Sequence, residues 1–184
     1  MSEETLVRHC SPTLAGIKTA NLFTSEYGSA EELRSTIRDL NSRLNPKGIR
    51  VIPLRYQKGR VLVYVYRPGL LSRDLRGART REMLASRGYD CESEGHCVAQ
   101  LRQRLSQGSQ FPHEIGLFLG YPPEDVRCFM EHREEELKFV GFWKVYSDEE
   151  TARSTFERYR KCTDVYLDQY STGRPLEKLA VKCR

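Results

Sequence analysis

Residues 49–67 read I-R-V-I-P-L-R-Y-Q-K-G-R-V-L-V-Y-V-Y-R, and their reading decides the fold. Two alternating apolar runs, 49–56 and 60–67, flank Gln57-Lys58-Gly59. A glycine-bearing connection between such runs is the mark of a β-hairpin. Pro53 has no N–H to give to a ladder, so the first strand lies at a sheet edge or carries a bulge. In 61–66, Val61, Val63 and Val65 share one face and Leu62, Tyr64 and Tyr66 the other. Both faces are apolar, which predicts a central strand covered on both sides. Tyr64 and Tyr66 are ordinary strand formers; beside arginines they also suit a platform on which bases stack.

Working outward, Ser29 and Glu32 have the spacing of a capping box. They open a helix with the apolar stripe Leu33, Ile37, Leu40 and Leu44, stopped by Asn45-Pro46-Lys47-Gly48. On the other side, 70–87 reads as one Arg-rich helix ended by Gly88, and a polar stretch leads to a further helix over 98–105. Residues 139–146, F-V-G-F-W-K-V-Y, read as a third strand, and Asp148 caps a helix carrying Ala152, Phe156, Tyr159 and Thr163 inward. Near the N-terminus, 5–10 reads as a strand or extended lead-in, and Ser11-Pro12 as the cap and first residue of a helix through Leu14, Ile17, Lys18, Asn21 and Leu22. The expected fold is α+β: one domain over 1–170, a small, mainly antiparallel sheet from 49–56, 60–67 and 139–146, and about six helices. Residues 171–184 are expected to form a basic, flexible tail with a short apolar patch able to dock weakly and a mobile Cys183.

A chain of 184 residues is long enough to bury most of its unfolded surface around one core without staples. No apolar run is long enough for a membrane helix, and the opening M-S-E-E-T-L-V-R-H-C lacks the pattern of a secretion signal, so a cytoplasmic protein is expected. The six cysteines are scattered without a C-x-x-C pair, the pattern of thiols rather than of a zinc ribbon or redox dithiol. Cys91, His96 and Cys97 match no metal-ligand spacing. Charge is asymmetric: residues 31–90 hold 14 Lys/Arg against 6 Asp/Glu, a net +8, and residues 91–150 hold 6 against 12, a net −6. The basic half suits an anionic ligand, a nucleic acid or an acidic partner, or pairs in part with the acidic half.

Two stretches carry the candidate chemistry. Placed just ahead of a helix N-terminus, Cys10 would be held as a thiolate by the helix dipole, with His9 adding positive charge; the alternative is a small buried hydrophobe. In F-P-H-E-I-G-L-F-L-G-Y-P-P-E-D-V (111–126), Pro112 begins a short helix, Gly120 and Pro122-Pro123 end it, and Glu124 and Asp125 open another. His113 and Glu114 at this corner suit metal binding or proton transfer, or serve only as local caps. The site expected is a small-molecule, metal or cofactor site, with catalysis left open. In it Cys10 is nucleophile or soft ligand, His113 base, Glu114 the group orienting it, and Lys18, Tyr121 or Lys144 an anion contact. The identity of any metal or cofactor is not legible. The competing expectation is a non-catalytic module using its Arg-rich face against nucleic acid or an acidic protein; no helix-turn-helix or phosphate loop supports a specific DNA reader or a nucleotide hydrolase.

H-C-S-P-T-L-A-G-I-K-T-A-N-L-F (9–23), the 111–126 stretch and G-F-W-K-V-Y-S-D-E-E-T-A (141–152) together resemble the signatures of the "domain of unknown function 3793" family. The resemblance implies an anaerobic, mostly clostridial source and an oxygen-poor cytoplasm in which labile metal or iron–sulfur chemistry is feasible. It brings no reaction, cofactor or catalytic residue with it.

Overall fold

The computed structural model describes residues 1–108 and 111–182. The elements run α1 (Glu3–Leu14), β1 (Ala20–Glu26), α2 (Ala30–Leu44), β2 (Arg50–Gln57), β3 (Arg60–Tyr66), α3 (Pro68–Leu75), α4 (Ala78–Ser86), α5 (Glu94–Gln107), α6 (Ile115–Phe118), α7 (Pro123–Met130), β4 (Phe139–Val140), β5 (Lys144–Val145), α8 (Glu149–Ser171) and α9 (Leu176–Leu179). The protein is an α+β domain built on a three-stranded antiparallel sheet in the order β1-β3-β2.

β3 is the central strand, and its alternation divides the molecule. Val61, Val63 and Val65 enter a core shared with α1, α2 and α9, while Tyr64 and Tyr66 enter a second core with α3 to α7 on the opposite face. The register of β2 against β3 slips between Pro53 and Arg55, the bulge that Pro53 foretells. The hairpin turns through Lys58 and Gly59, both at positive φ. Tyr64 and Tyr66 stack on each other with ring centroids 4.8 Å apart, and the Tyr64 hydroxyl donates to the Phe118 carbonyl at 2.6 Å. Both rings are buried, so they present no platform to a base.

The sheet's third strand is β1, not 139–146. The N-terminal reading shifts here: residues 5–10, expected to be strand or lead-in, lie in α1, Ser11 to Leu14 of the expected helix are its last turn, and Ala20 to Leu22 begin β1. Ser2 caps α1 by accepting from the Thr5 amide, and Glu3 and Glu4 suit its first turn. Pro12 sits inside the last turn, and the chain then leaves the helix at Gly16, φ +75°. Residues 139–146 form only a two-rung hairpin, because Gly141 turns it: the Gly141 amide donates to the Trp143 carbonyl at 3.0 Å. A Cβ at Gly141 would overlap the Phe156 ring, so the turn lies tightly on α8.

Other elements follow their local signals. Ser29 and Asp148 cap α2 and α8, accepting from the Glu32 and Thr151 amides at 3.1 and 3.0 Å. The single helix expected over 70–87 is two, α3 and α4, separated at Arg76-Gly77. Expected to be thiols, Cys91 and Cys97 form a disulfide that ties the lead-in of α5 to its first turn. In the tail, Leu176, Leu179 and Ala180 of the apolar patch are buried in the α1/α2 core, and the Val181 amide donates to the Leu14 carbonyl at 2.9 Å. Cys183, expected to be mobile, lies outside the described residues.

Candidate functional site

The site begins with the loop that carries the chain from α1 into β1. The Pro12 carbonyl accepts from the amides of Ile17 and Lys18, at 3.0 and 3.1 Å, folding Gly16 to Thr19 back over the helix end. Lys18 thereby turns inward, 5% exposed, and its Nζ donates to the Ala20 carbonyl at 2.6 Å. It also lies over the Tyr121 ring, 5.3 Å from the centroid. Thr19 donates its hydroxyl to Asp74 of α3, whose other carboxylate oxygen accepts from Arg73 at 3.1–3.2 Å.

The second wall is the corner joining α6 to α7. Gly120 adopts φ +74°, and a Cβ there would stand 2.7 Å from Thr19 Oγ1. Only glycine allows the corner to close on the loop this tightly. Gly116 does the same a turn earlier, where a Cβ would stand 2.7 Å from Val126 Cγ2 and so push α7 away. Between loop and corner lies a cleft of about 590 Å³, lined among others by Lys18, Thr19, Asp74, Thr80, Tyr121 and Tyr159. α4 opens on it at Gly77 without a side-chain cap.

Tyr121 is shared with a second cavity of about 400 Å³, mostly apolar, between α7 and the β4–β5 hairpin. Its lining includes His113, Phe129, Phe142, Trp143 and Lys144. The hairpin is held there by Asp125, 2% exposed, whose carboxylate accepts from Trp143 Nε1 at 2.7 Å and from the amides of Tyr146 and Ser147 at 2.9 and 2.8 Å.

Electrostatics single out Lys18. Burial strips its ammonium of water and pushes its pKa down to about 8, opposed in part by nearby Cys10. Its bonded and ring partners are a backbone carbonyl and an aromatic ring, and among the described residues no carboxylate pairs with it. Burial pushes the Cys10 thiol well above its ordinary range and the Tyr121 phenol up to about 12.

A family model described as a protein of unknown function, DUF3793, matches residues 6–180. The chain belongs to that family. No curated protein and no solved structure matches it.

In this DUF3793 protein the structure brings some of the expected site residues together and separates others. Lys18 and Tyr121 share the first cleft; Tyr121, His113 and Lys144 share the second cavity. Cys10 lines neither. It lies inside α1, not ahead of a helix N-terminus, and packs into the core on one face of the sheet, while Ile115 to Leu119 pack into the core on the other. Without the helix end, only nearby Lys18 opposes the cost of burying a thiolate there, and burial outweighs it. His9 is exposed and stacks on Phe23, with centroids 5.2 Å apart. His113 meets the Phe129 ring edge-on at 5.0 Å, and Glu114 is buried, accepting from the Tyr89 hydroxyl at 3.0 Å. Among the described residues no three His, Cys, Asp or Glu side chains gather as metal ligands, and no helix is long and apolar enough to cross a membrane. Thr19 and Asp74 were not singled out in the sequence, and Tyr159 only as an inward residue of its helix. The available signal was Gly16, a glycine that can end the preceding helix and so separate Lys18 and Thr19 from it.

Proposed function

We propose that the protein binds a small anionic molecule, a carboxylate or phosphate compound, in the cleft between the Gly16–Thr19 loop and the Gly120–Pro123 corner. The observation that carries this reading is a lysine 5% exposed with no carboxylate partner on the wall of a 590 Å³ cleft. A buried ammonium lacking a counter-ion is costly to the fold, and an anionic ligand supplies the missing charge. The uncapped first turn of α4 favours the same sign of ligand. The chemistry expected of Cys10 and His113 passes in this reading to Lys18, with Tyr121 retained as its neighbour. An anaerobic source and a cytoplasmic setting belong to the reading only as expectations, and the Cys91–Cys97 bridge pulls against the second.

The competing use of the Arg-rich face has less support. Arg79 pairs with Glu124 at 2.7 Å and Arg50 with Glu94 at 3.8 Å, so part of the basic half is already neutralised by the acidic half. Thermal melting with inorganic phosphate and with small mono- and dicarboxylates tests the proposal. A ligand at a hundredfold its Kd adds about 2.7 kcal/mol, or roughly 5–10 °C for a chain of this size. At least one probe is expected to raise the melting temperature of the wild type but not of Lys18→Met. An equal rise in both proteins, or none in either, overturns it.

A further inference from the structure

We infer that Lys18 forms an imine with a small oxo acid held in the cleft, so that the site acts on carbonyl compounds and does not merely bind anions. This rests on the anion-binding reading above and extends it. Four observations carry it. Lys18 lines the cleft with its stem buried, and its Nζ is held by a single acceptor, the Ala20 carbonyl at 2.6 Å. That contact fixes the direction of the nitrogen while leaving its other positions for a substrate. The surroundings favour a neutral amine, since burial disfavours the ammonium and no carboxylate pairs with it; a pKa of about 8 leaves far more free amine near neutrality than an exposed lysine has. Groups able to move protons share the lining: the Tyr121 phenol under the nitrogen, the Thr19–Asp74 pair, and Tyr159 from α8. Arg73 and the uncapped start of α4 lie on the same cleft, where an acid group on the substrate would sit.

The step balances without an oxidant or reductant. The neutral amine adds its electron pair to the carbonyl carbon, forming the C–N bond of a carbinolamine. The former carbonyl oxygen then leaves as water, its two hydrogens matched by the two that the amine nitrogen gives up, and a C=N bond remains. A general acid is needed at the departing oxygen, and the phenols of Tyr121 and Tyr159, which keep their protons and line the cleft, are the groups that serve.

The test uses the whole chain with pyruvate as the carbonyl probe, lactate as the matched acid lacking a carbonyl, and cyanoborohydride to reduce any imine in place. Intact mass and peptide mapping read the adduct, and thermal melting without reductant reads binding. The expected result is one reduced pyruvate, on Lys18, formed at pH 7.5 at least about tenfold faster than on exposed lysines, because free amine there is on the order of a hundredfold more abundant. Trapping should rise as pH passes through about 8 and then level off. The groups facing Lys18 are Cys10 from α1, Tyr121 from the corner, Arg73 and Asp74 from α3 and Tyr159 from α8; burial keeps Cys10 and Tyr121 neutral across that range. Lys18→Arg, which keeps stem and charge, should be stabilised by both acids yet form no adduct. Adduct spread evenly over the lysines, or absent from Lys18, overturns the imine. If lactate and pyruvate still stabilise the wild type, the anion site survives that outcome. If neither does, and inorganic phosphate and dicarboxylates do not either, both readings fall.

Discussion

Lys18→Met removes the ammonium while keeping a stem of similar length, and the structure fixes the sign and size of the effect. Burial moves Lys18 from 10.5 down to about 8. At about 1.36 kcal/mol per unit, the folded state carries a penalty on the order of 3 kcal/mol wherever the lysine is charged in both states. The folded pKa is the lower one, so between about 8 and 10.5 the unfolded chain binds more protons at this position than the folded chain. Stability contributed by Lys18 therefore rises with pH across that window, and below it the penalty is full and constant. The variant also loses the Nζ bond to Ala20, worth about 1 kcal/mol. Lys18→Met is thus expected to be more stable than wild type by about 1–3 kcal/mol at pH 7, with the gap closing by pH 10. Cys10 and Tyr121 stay neutral in the folded state of both proteins over this range, so their unfolded-state titration cancels in the difference. Urea unfolding followed by the fluorescence of Trp143, the chain's single tryptophan, measures it directly. A variant less stable than wild type at pH 7, or a gap that does not change with pH, would refute the reasoning.

Asp125→Ala should cost about 3–5 kcal/mol by leaving its donors without an acceptor. It should also red-shift Trp143 emission, and a variant as stable as wild type would mean that the hairpin holds itself. Gly116→Ala should destabilise by about 1–3 kcal/mol because its methyl meets Val126, read as a lower urea midpoint. Among the described free thiols, iodoacetamide at pH 8 should modify half-buried Cys162 before Cys128 and Cys10, and rapid loss of Cys10 in the native protein would place it outside the core. Replacing Cys91 and Cys97 by alanine should lower the urea midpoint, but by less than the loss of a bridge closing a long loop, because so few residues lie between them.

What the sequence made legible was local chemistry joined to strict periodicity. The caps at Ser29 and Asp148, the αL glycines at 48, 88 and 120, and the period-two alternation of β3 each act within a few residues, and each stands in the structure. The N-terminal error has one cause. Pro12 was read as the first residue of a helix, where its missing N–H costs least, but it also fits a last turn once Ser2 and the acidic pair Glu3-Glu4 have started α1. That shift of one element moved Cys10 from a helix end into a core and hid β1. Residues 139–146 failed for a different reason: the apolar pattern suits a strand, but Gly141 in its middle marks a tight approach to Phe156 that only the packing of α8 imposes. Lys18 was among the residues expected from the sequence to contact an anion, but its burial was not legible there. The pairing of Asp74 with Thr19 was not legible either, because the two lie 55 positions apart and their contact depends on where β1 sits.

The corner from Ile115 to Val126 explains why two cavities stand side by side. Gly116 lets α7 close against α6, and Gly120 lets the loop before β1 close against the corner, so both approaches converge on the one bulky side chain between them, Tyr121. Its ring lies 5.3 Å from Lys18 Nζ on one side and 5.0 Å from the Trp143 ring on the other. Trp143 is in turn fixed by Asp125, so the chain from Lys18 to the hairpin runs through packed or hydrogen-bonded groups, each with little room to move. Tyr121 is thus the side chain common to the walls of both pockets.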